Sequence, residues 1–243
     1  GLLLSFQCCC LQVVPRRLAQ PKPFGTVSPF TMLVKPPNHC YHAHMRIVSY
    51  NIANGGHERI PLIIQGIREL RPNIVGLLET NGWQTQQLAS FAKDTALPYT
   101  YFAKAKTNFD LSLCSNRAPR SAATLNEPAL WHAAIAATFS LTKADELLLL
   151  LVHLDPRDED HRLSEMQYLL QQTKSFPNAI IMGDFNSLSP HDSYDENELL
   201  MRLQEQHITK FGENRLRFNV ITSVETAGFV DAAQLMGYPW TPT

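Results

Sequence analysis

A run of five leucines at 147–151 constrains the fold of this chain more than any other segment. The run continues into Val152 and His153 and stops before the pair Asp155-Pro156, which breaks regular structure. Its length of about eight residues and the proline that follows favour a strand over a helix. Apolar residues at every position indicate that both faces of this strand are buried. We therefore predict a sheet that other layers cover on both sides.

Further strand candidates are spread along the chain. Residues 73–78 and 179–182 are continuous apolar runs, and residues 46–52 are rich in β-branched and aromatic side chains. Weaker candidates of similar composition lie at 99–103, 111–115 and 131–141.

Two amphipathic helices are predicted between these strands. Isoleucines and leucines recur at helical spacing from Ile60 to Leu70, and Pro72 stops that helix. The second helix opens with acidic residues at 158–160, where the helix dipole favours negative charge. Doubly buried strands between amphipathic helices predict a single α/β domain over residues 45–243.

The first 44 residues differ in composition from the rest. No Asp or Glu occurs before Glu58, and the stretch 15–37 is rich in proline, so we expect residues 1–44 to be a disordered or leader segment. An organellar transit peptide stays an alternative, because that class is poor in acids. The cysteines at 8–10 could be acylated and the His/Cys group at 39–44 could bind a metal, but adventitious sequence and a histidine-rich linker are preferred.

Net charge, apolar runs and cysteine content limit the binding partners and the cellular compartment that we expect for this protein. The net charge of −1 supplies no global field for a polyanion, so nucleic-acid binding is not favoured. No apolar run is long enough to span a bilayer, and we expect no transmembrane segment. Only Cys114 lies in the globular part, which agrees with a reducing compartment. We expect a soluble monomer, with the cytoplasm favoured and organellar import left open.

Polar side chains end the apolar strands. They are Asn51 and Glu79 after the first two strands, His153 after the leucine run, and the pair Asp184 and Asn186 after the last run. Carboxylate and amide oxygens are ligands that Mg²⁺ prefers, and histidine and aspartate can move protons. Each residue alone has a simpler explanation: Glu79 can mark the return of the chain to solvent, His153 can be a core histidine, and Asn51 can form a turn. Their joint placement indicates a site for one phosphate.

These segments resemble the successive motifs of the endonuclease/exonuclease/phosphatase superfamily, which has the deoxyribonuclease-I-like fold. The matching segments are RIVSYNI at 46–52, IVGLLE at 74–79, VHLD at 152–155 and GDFNS at 183–187. The resemblance implies a four-layer α/β-sandwich, in which two central mixed β-sheets are flanked by helices. It also implies a phosphoesterase that depends on Mg²⁺ or Mn²⁺.

By the same resemblance, Glu79 is the main metal ligand and Asn51 assists at the metal–phosphate site. Asp184 orients or deprotonates the attacking water, Asn186 holds a phosphoryl oxygen, and His153 stabilises the pentacovalent transition state. The implied reaction is hydrolysis of a phosphodiester or a phosphomonoester by an activated water.

Other positions also match or depart from the family pattern. Arg162 and Gln167 resemble an arginine and a glutamine that are often found on the helix after VHLD. Leu151 stands where many members have an asparagine. The segment 239–243 resembles the family sequence just before its closing strand, so we expect the terminal Asp-His motif to be missing and activity to be impaired. A non-catalytic binding or scaffold member is the alternative.

The substrate class is only weakly indicated. Family members cleave substrates that range from nucleic acids to inositol phosphates. The acidic segment 191–198 follows Asp184 closely and would repel a long polyanion, so a small phosphoester is slightly favoured over nucleic acid.

Overall fold

The computed structural model describes residues 7–12, 33–34 and 45–235, which form two β-sheets and six α-helices. The first sheet contains β1 (Gln7–Gln12), β3 (Arg46–Asn51), β4 (Ile74–Leu78), β5 (Tyr99–Ala103) and β6 (Leu111–Ser115), in the order β1-β3-β4-β6-β5. The second contains β2 (Leu33–Val34), β7 (Ser121–Leu125), β8 (Ala134–Ser140), β9 (Glu146–His153), β10 (Asn178–Asp184) and β11 (Val230–Asp231), in the order β11-β2-β10-β9-β8-β7. Both sheets are mixed, because β3 pairs with β4 and β9 with β10 in parallel, whereas the other neighbours are antiparallel.

The helices follow the local signals of the sequence. They are α1 (Ile60–Leu70), α2 (Thr85–Thr95), α3 (Glu159–Gln172), α4 (Glu196–Glu205), α5 (Asn219–Thr226) and α6 (Ala232–Leu235), with a 3-10 helix at His57–Arg59. Pro61 lies in the first turn of α1, where its missing N–H costs no hydrogen bond. Asp158 caps α3 by accepting a hydrogen bond from the backbone N–H of His161 at 2.9 Å. No helix among the described residues is long and apolar enough to cross a membrane.

The two sheets pack face to face, and helices cover their outer faces. Along β9, the side chains of Leu149 and Leu151 join the apolar core between the sheets, which also contains Ile47 and Ile135. The alternate side chains of β9 join a second core with residues of α3 and α5, which are Leu148, Leu150, Val152, Met166, Leu169, Val220 and Val224. A third core packs the first sheet against α1 and α2. This order of helix, sheet, sheet and helix confirms the predicted four-layer α/β-sandwich.

Gly76 permits close packing between the sheets at the middle of β4. A Cβ at this position would lie 2.5 Å from Cδ1 of Leu151 and 2.7 Å from Cε of Met182. Leu151 is fully buried. The residue that departs from the family pattern therefore fills space between the sheets.

Every strand predicted in the globular part is present, and several of them have shifted ends. β10 begins one residue earlier and ends two residues later than the predicted run 179–182. β8 begins at Ala134 rather than 131, because the backbone N–H of Trp131 donates to Oε1 of Glu165 at 2.6 Å instead of to a strand. The sequence did not predict the helices α2, α4, α5 and α6 or the strands β7 and β11.

The structure differs from the prediction for residues 1–44 at two places. β1 pairs antiparallel with β3, and β2 lies between β10 and β11. Each segment provides hydrogen-bond partners for a strand that would otherwise present a free edge. The sequence of β1 has no two-residue alternation, so periodicity does not predict it as a strand. The rest of this segment, including the group at 39–44, lies outside the described residues, and the boundary at 45 stays a prediction.

Candidate active site

Four strands end at one edge of the sandwich, and each contributes a polar side chain there. The parallel pair β3 and β4 places Asn51 next to the end of β4, where Glu79 follows. The parallel pair β9 and β10 places His153 directly opposite Asp184. Both sheets thus present the residues predicted from the strand ends at the same edge.

The side-chain amide of Asn51 joins the two sheets. Its Nδ2 donates to Oε1 of Glu79 at 3.0 Å and lies 3.4 Å from Oδ2 of Asp184. Its Oδ1 accepts from the backbone N–H of Ala53 at 2.9 Å, which fixes the orientation of the amide. Asn51 therefore turns its nitrogen towards two carboxylates that come from different sheets.

Glu79 is held in place by the loop that follows β3. Its φ of 61° lies in the left-handed region, which is uncommon for residues other than glycine. The backbone N–H of Asn54 donates to Oε2 of Glu79 at 2.7 Å, and that of Gly55 donates to its carbonyl at 2.7 Å. Within the described structure each carboxylate oxygen accepts one hydrogen bond, so lone pairs remain for a cation.

Asp184 faces His153 from the neighbouring strand. The Nε2 of His153 lies 4.0 Å from Oδ2 of Asp184, while Oδ1 of Asp184 accepts from the backbone N–H of Asn186 at 2.9 Å. Asn186 has a φ of 50° and donates from Nδ2 to the carbonyl of Leu154 at 2.9 Å. One amide hydrogen of Asn186 thus stabilises the loop, and its other polar positions are left for a ligand.

His132 is part of this site, and the sequence did not indicate it. Its ring stacks on that of His153, with centroids 4.5 Å apart and an interplanar angle of 26°. Burial, and to a smaller extent the proximity of His153, lowers the pKa of His132 to about 3, so its ring is neutral at physiological pH. The register of β8 against β9, which pairs Ala134 with Val152, brings His132 to this position. That register is set by pairing across a turn, and no local pattern predicts it.

Lys210 is a second residue that the sequence did not indicate. Burial lowers the pKa of its ammonium group, and the negative charge of Asp184 opposes that lowering. Its Nζ lies 4.7 Å from the centre of the Phe211 ring. Lys210 belongs to the segment between α4 and α5, where the sequence has no periodic pattern. A cation therefore lies within electrostatic range of Asp184.

Arg162 connects the loops around the site. Its side chain is fully buried and forms an ion pair with Oε2 of Glu159 at 2.9 Å. It also donates to the carbonyl of Asp155 at 2.9 Å, to Oγ of Ser187 at 3.1 Å and to the carbonyl of Lys210. The arginine that matches the family pattern thus stabilises the loops after β9 and β10 and the position of Lys210.

Asp155 and Gln167, which also match the family pattern, form no hydrogen bond with Glu79, His153 or Asp184 within the described part of the chain. Burial raises the pKa of Asp155, but hydrogen bonds from Arg157 and His161 outweigh it and bring that pKa to about 2. Asp155 is therefore an ionised group that anchors the start of α3. Gln167 is exposed and lines a groove between α3 and α5 with Phe218.

The carboxylates of Glu79 and Asp184 suit a Mg²⁺ ion, which needs few protein ligands, better than a metal ion that needs three or more. No group of three His, Cys, Asp or Glu side chains in the described residues could hold a metal ion together. Mg²⁺ is usually bound by one or two carboxylates, waters and a substrate phosphate. Glu79 has free lone pairs, and Asp184 is close enough to share the amide of Asn51 with it.

Comparison with known proteins identifies the family. The model of the Endonuclease/Exonuclease/phosphatase family matches residues 48–243. The chain belongs to the Endonuclease/Exonuclease/phosphatase family. Its members are generally metal-dependent phosphoesterases, nucleases or phosphatases. No curated protein sequence matches the chain.

Solved structures of low sequence identity are similar in fold. The human Nocturnin catalytic domain, solved with a bound sulfate anion, is 20% identical, has a TM-score of 0.50, and the match covers 60% of this chain and 66% of that one. TDP2 from Caenorhabditis elegans is 16% identical with a TM-score of 0.47, and the match covers 58% of this chain and 47% of that one. A family protein from Bacteroides thetaiotaomicron is 17% identical with a TM-score of 0.47, and the match covers 68% of each chain. The chain spans about half the length of the Caenorhabditis elegans protein.

Proposed function

We propose that this chain forms the core of a metal-dependent phosphoesterase, which hydrolyses a phosphodiester or a phosphomonoester with an activated water. The main support is the amide nitrogen of Asn51, which lies 3.0 Å from Glu79 and 3.4 Å from Asp184. This amide lies between Glu79, the proposed metal ligand, and Asp184, the proposed base. The Nε2 of His153 lies 4.0 Å from Oδ2 of the same Asp184. Membership of the family supports the same reaction class.

Asp184 is proposed to orient the attacking water and accept its proton. The water oxygen forms a bond to phosphorus while the bond from phosphorus to the leaving oxygen breaks, and the leaving oxygen takes a proton from solvent. His153 and Asn186 donate hydrogen bonds to the phosphoryl oxygens as negative charge develops there. Glu79 would hold a Mg²⁺ or Mn²⁺ ion, which would supply Lewis-acid stabilisation of the same charge.

Asn51 is proposed to act on the metal site through Glu79. Its oxygen is occupied by the backbone of Ala53, whereas its nitrogen holds the Glu79 carboxylate. Groups that orient a metal ligand commonly determine metal affinity almost as strongly as the ligand itself.

We propose a small phosphoester as the substrate, in preference to a long nucleic acid. The support is the segment 191–198, in which Asp195, Glu196 and Glu198 are exposed. The ammonium group of Lys210, on which the charge of Asp184 acts, is proposed to bind the single phosphate. Rates with p-nitrophenyl phosphate, bis(p-nitrophenyl) phosphate and a single-stranded oligonucleotide would be compared. Preferred cleavage of the oligonucleotide, with a steep loss of affinity as salt increases, would contradict the small-substrate proposal.

Magnesium binding tests the proposed site directly. We expect Glu79→Gln to weaken binding of Mg²⁺, measured by calorimetry, by about tenfold or more, because the substitution removes the charge that attracts the cation. Glu69→Gln is the matched control, since Glu69 is exposed on α1, near the other end of the first sheet. If the Mg²⁺ affinity of Glu79→Gln equals that of wild type, Glu79 is not a ligand of the cation.

A non-catalytic binding member is the competing hypothesis. The non-catalytic hypothesis predicts that the chain hydrolyses no phosphoester. This would hold even if the chain binds Mg²⁺ through Glu79. Magnesium-dependent hydrolysis that Asp184→Asn abolishes would exclude it.

A further inference from the structure

Among the described residues, none forms with His153 the hydrogen bond that usually orients a catalytic imidazole. In catalytic histidines, one ring nitrogen commonly donates to a carboxylate or a carbonyl, and this bond fixes the ring for the reaction of the other nitrogen. The Nδ1 of His153 is buried and has no hydrogen-bond partner among the described residues. The orientation of Nε2 towards Asp184 therefore needs another cause.

Two aromatic neighbours enclose the His153 ring. The ring of His132 lies parallel to it within 26°, with centroids 4.5 Å apart. The ring of Phe109 meets it edge-on, at 89° and 6.1 Å between centroids. His132 and His153 are only 1% and 5% exposed, so both stacked rings are packed as tightly as core residues.

His132 is itself fixed from the other side. Its Nδ1 forms a short hydrogen bond with Oγ1 of Thr107, and its ring meets that of Phe109 with centroids 5.1 Å apart. Its Nε2 is buried and has no hydrogen-bond partner in the described part of the chain. The ring is neutral at physiological pH, so it can lie against His153 without repelling a charge there. His132 thus contacts His153 through its ring face.

We propose that His132 is a positioning residue, which holds the imidazole of His153 towards Asp184 by stacking rather than by a hydrogen bond. The inference rests on the proposed function, because there His153 acts on the phosphoryl group. Loss of the stacked ring would leave the plane of His153 unsupported on one side. A reacting group displaced by about 1 Å can lower a rate by about a hundredfold.

Two substitutions separate stacking from hydrogen bonding. His132→Phe keeps an aromatic ring and removes both nitrogens, whereas His132→Asn keeps polar groups and removes the ring. Each variant, made in the whole chain, would be compared with wild type in two measurements. The first is the NMR spectrum of the His153 ring in protein labelled with ¹³C-histidine, assigned from its loss in His153→Gln. The second is kcat and KM for bis(p-nitrophenyl) phosphate with Mg²⁺.

We expect His132→Phe to keep a single sharp His153 signal and a kcat within about fivefold of wild type. We expect His132→Asn to broaden or shift that signal and to lower kcat by about tenfold to a hundredfold, with little change in KM. The reverse result, with activity kept by Asn and lost by Phe, would show that a nitrogen of His132 is required and would overturn the proposal. Equal behaviour of both variants would overturn it as well.

If Mg²⁺ binding does not depend on Glu79, the proposed function is contradicted, and the NMR measurement still decides whether His132 orients His153. Thermal unfolding of both variants identifies a general loss of packing, which would affect signals far from residue 153.

Discussion

Leu151 on β9 fills the space that a side chain at Gly76 on β4 would occupy, so this pair sets the approach of the two sheets. The distance from a Cβ at Gly76 to Cδ1 of Leu151 would be 2.5 Å, which is shorter than any ordinary contact. The position where many family members have an asparagine is therefore part of the apolar core in this chain.

This relationship predicts that substitutions at Gly76 and Leu151 are not additive. Gly76→Ala should reduce the free energy of unfolding by about 1–3 kcal/mol through overpacking. Leu151→Ala should reduce it by about 2–5 kcal/mol because it leaves a cavity. In the double variant the new methyl group enters that cavity, so the combined loss should be smaller than the sum. Urea unfolding followed by circular dichroism measures all three, and additive losses would contradict the packing.

The buried ion pair of Arg162 should matter far more than a similar pair on the surface. Arg162→Met leaves the buried carboxylate of Glu159 without its charge partner and should cost about 3–5 kcal/mol of stability. Arg202→Ala is the control, because Arg202 and Glu198 form an intrahelical pair that is largely exposed, and its loss should cost at most about 1 kcal/mol. Similar losses in the two variants, measured by chemical denaturation, would show that the Arg162 network contributes little.

Acid should destabilise the fold through His132. Its pKa is about 3 in the folded chain against 6.5 for an unperturbed histidine, so between these values only the unfolded chain binds a proton at this position. Above about pH 6.5 this protonation of the unfolded chain costs the fold no stability. Below that pH it reduces the free energy of unfolding by up to about 1.4 kcal/mol per pH unit. Between about pH 7 and about pH 5, wild type should lose roughly 2 kcal/mol more stability than His132→Phe. An equal loss in both proteins would contradict a buried neutral ring.

Asn51→Ala should weaken magnesium binding although it removes no charge. The substitution removes the amide that holds Oε1 of Glu79 and lies between Glu79 and Asp184. Loss of such an orienting group typically lowers metal affinity by about 10–100-fold. Asn116→Ala is a suitable control, because Asn116 is exposed and contacts Asn73 at the opposite end of the first sheet. Unchanged calorimetric affinity in Asn51→Ala would indicate that Glu79 binds the cation without this support.

The elements that the sequence predicts well are those with a strong local signal. β9 and β10 are continuous apolar runs between chain breakers, and the polar residues that end them are the ones that converge in the structure. α2 was not predicted because its core contacts come from only a few positions, Leu88, Phe91 and Ala92, within a polar segment. His132 reaches the site through strand register and Lys210 through an irregular segment, and both depend on tertiary structure that no local pattern encodes.

The shared amide of Asn51 has a mechanical consequence. Glu79 follows a strand of the first sheet and Asp184 ends a strand of the second, so a cation on Glu79 would also attract the Asp184 carboxylate and hold the two halves of the sandwich together at their common edge. Because such a cation binds only when both halves are assembled, its binding free energy would add to the stability of the folded chain. The melting temperature would then rise with magnesium concentration in the absence of any substrate, and the metal would serve the scaffold as well as the reaction.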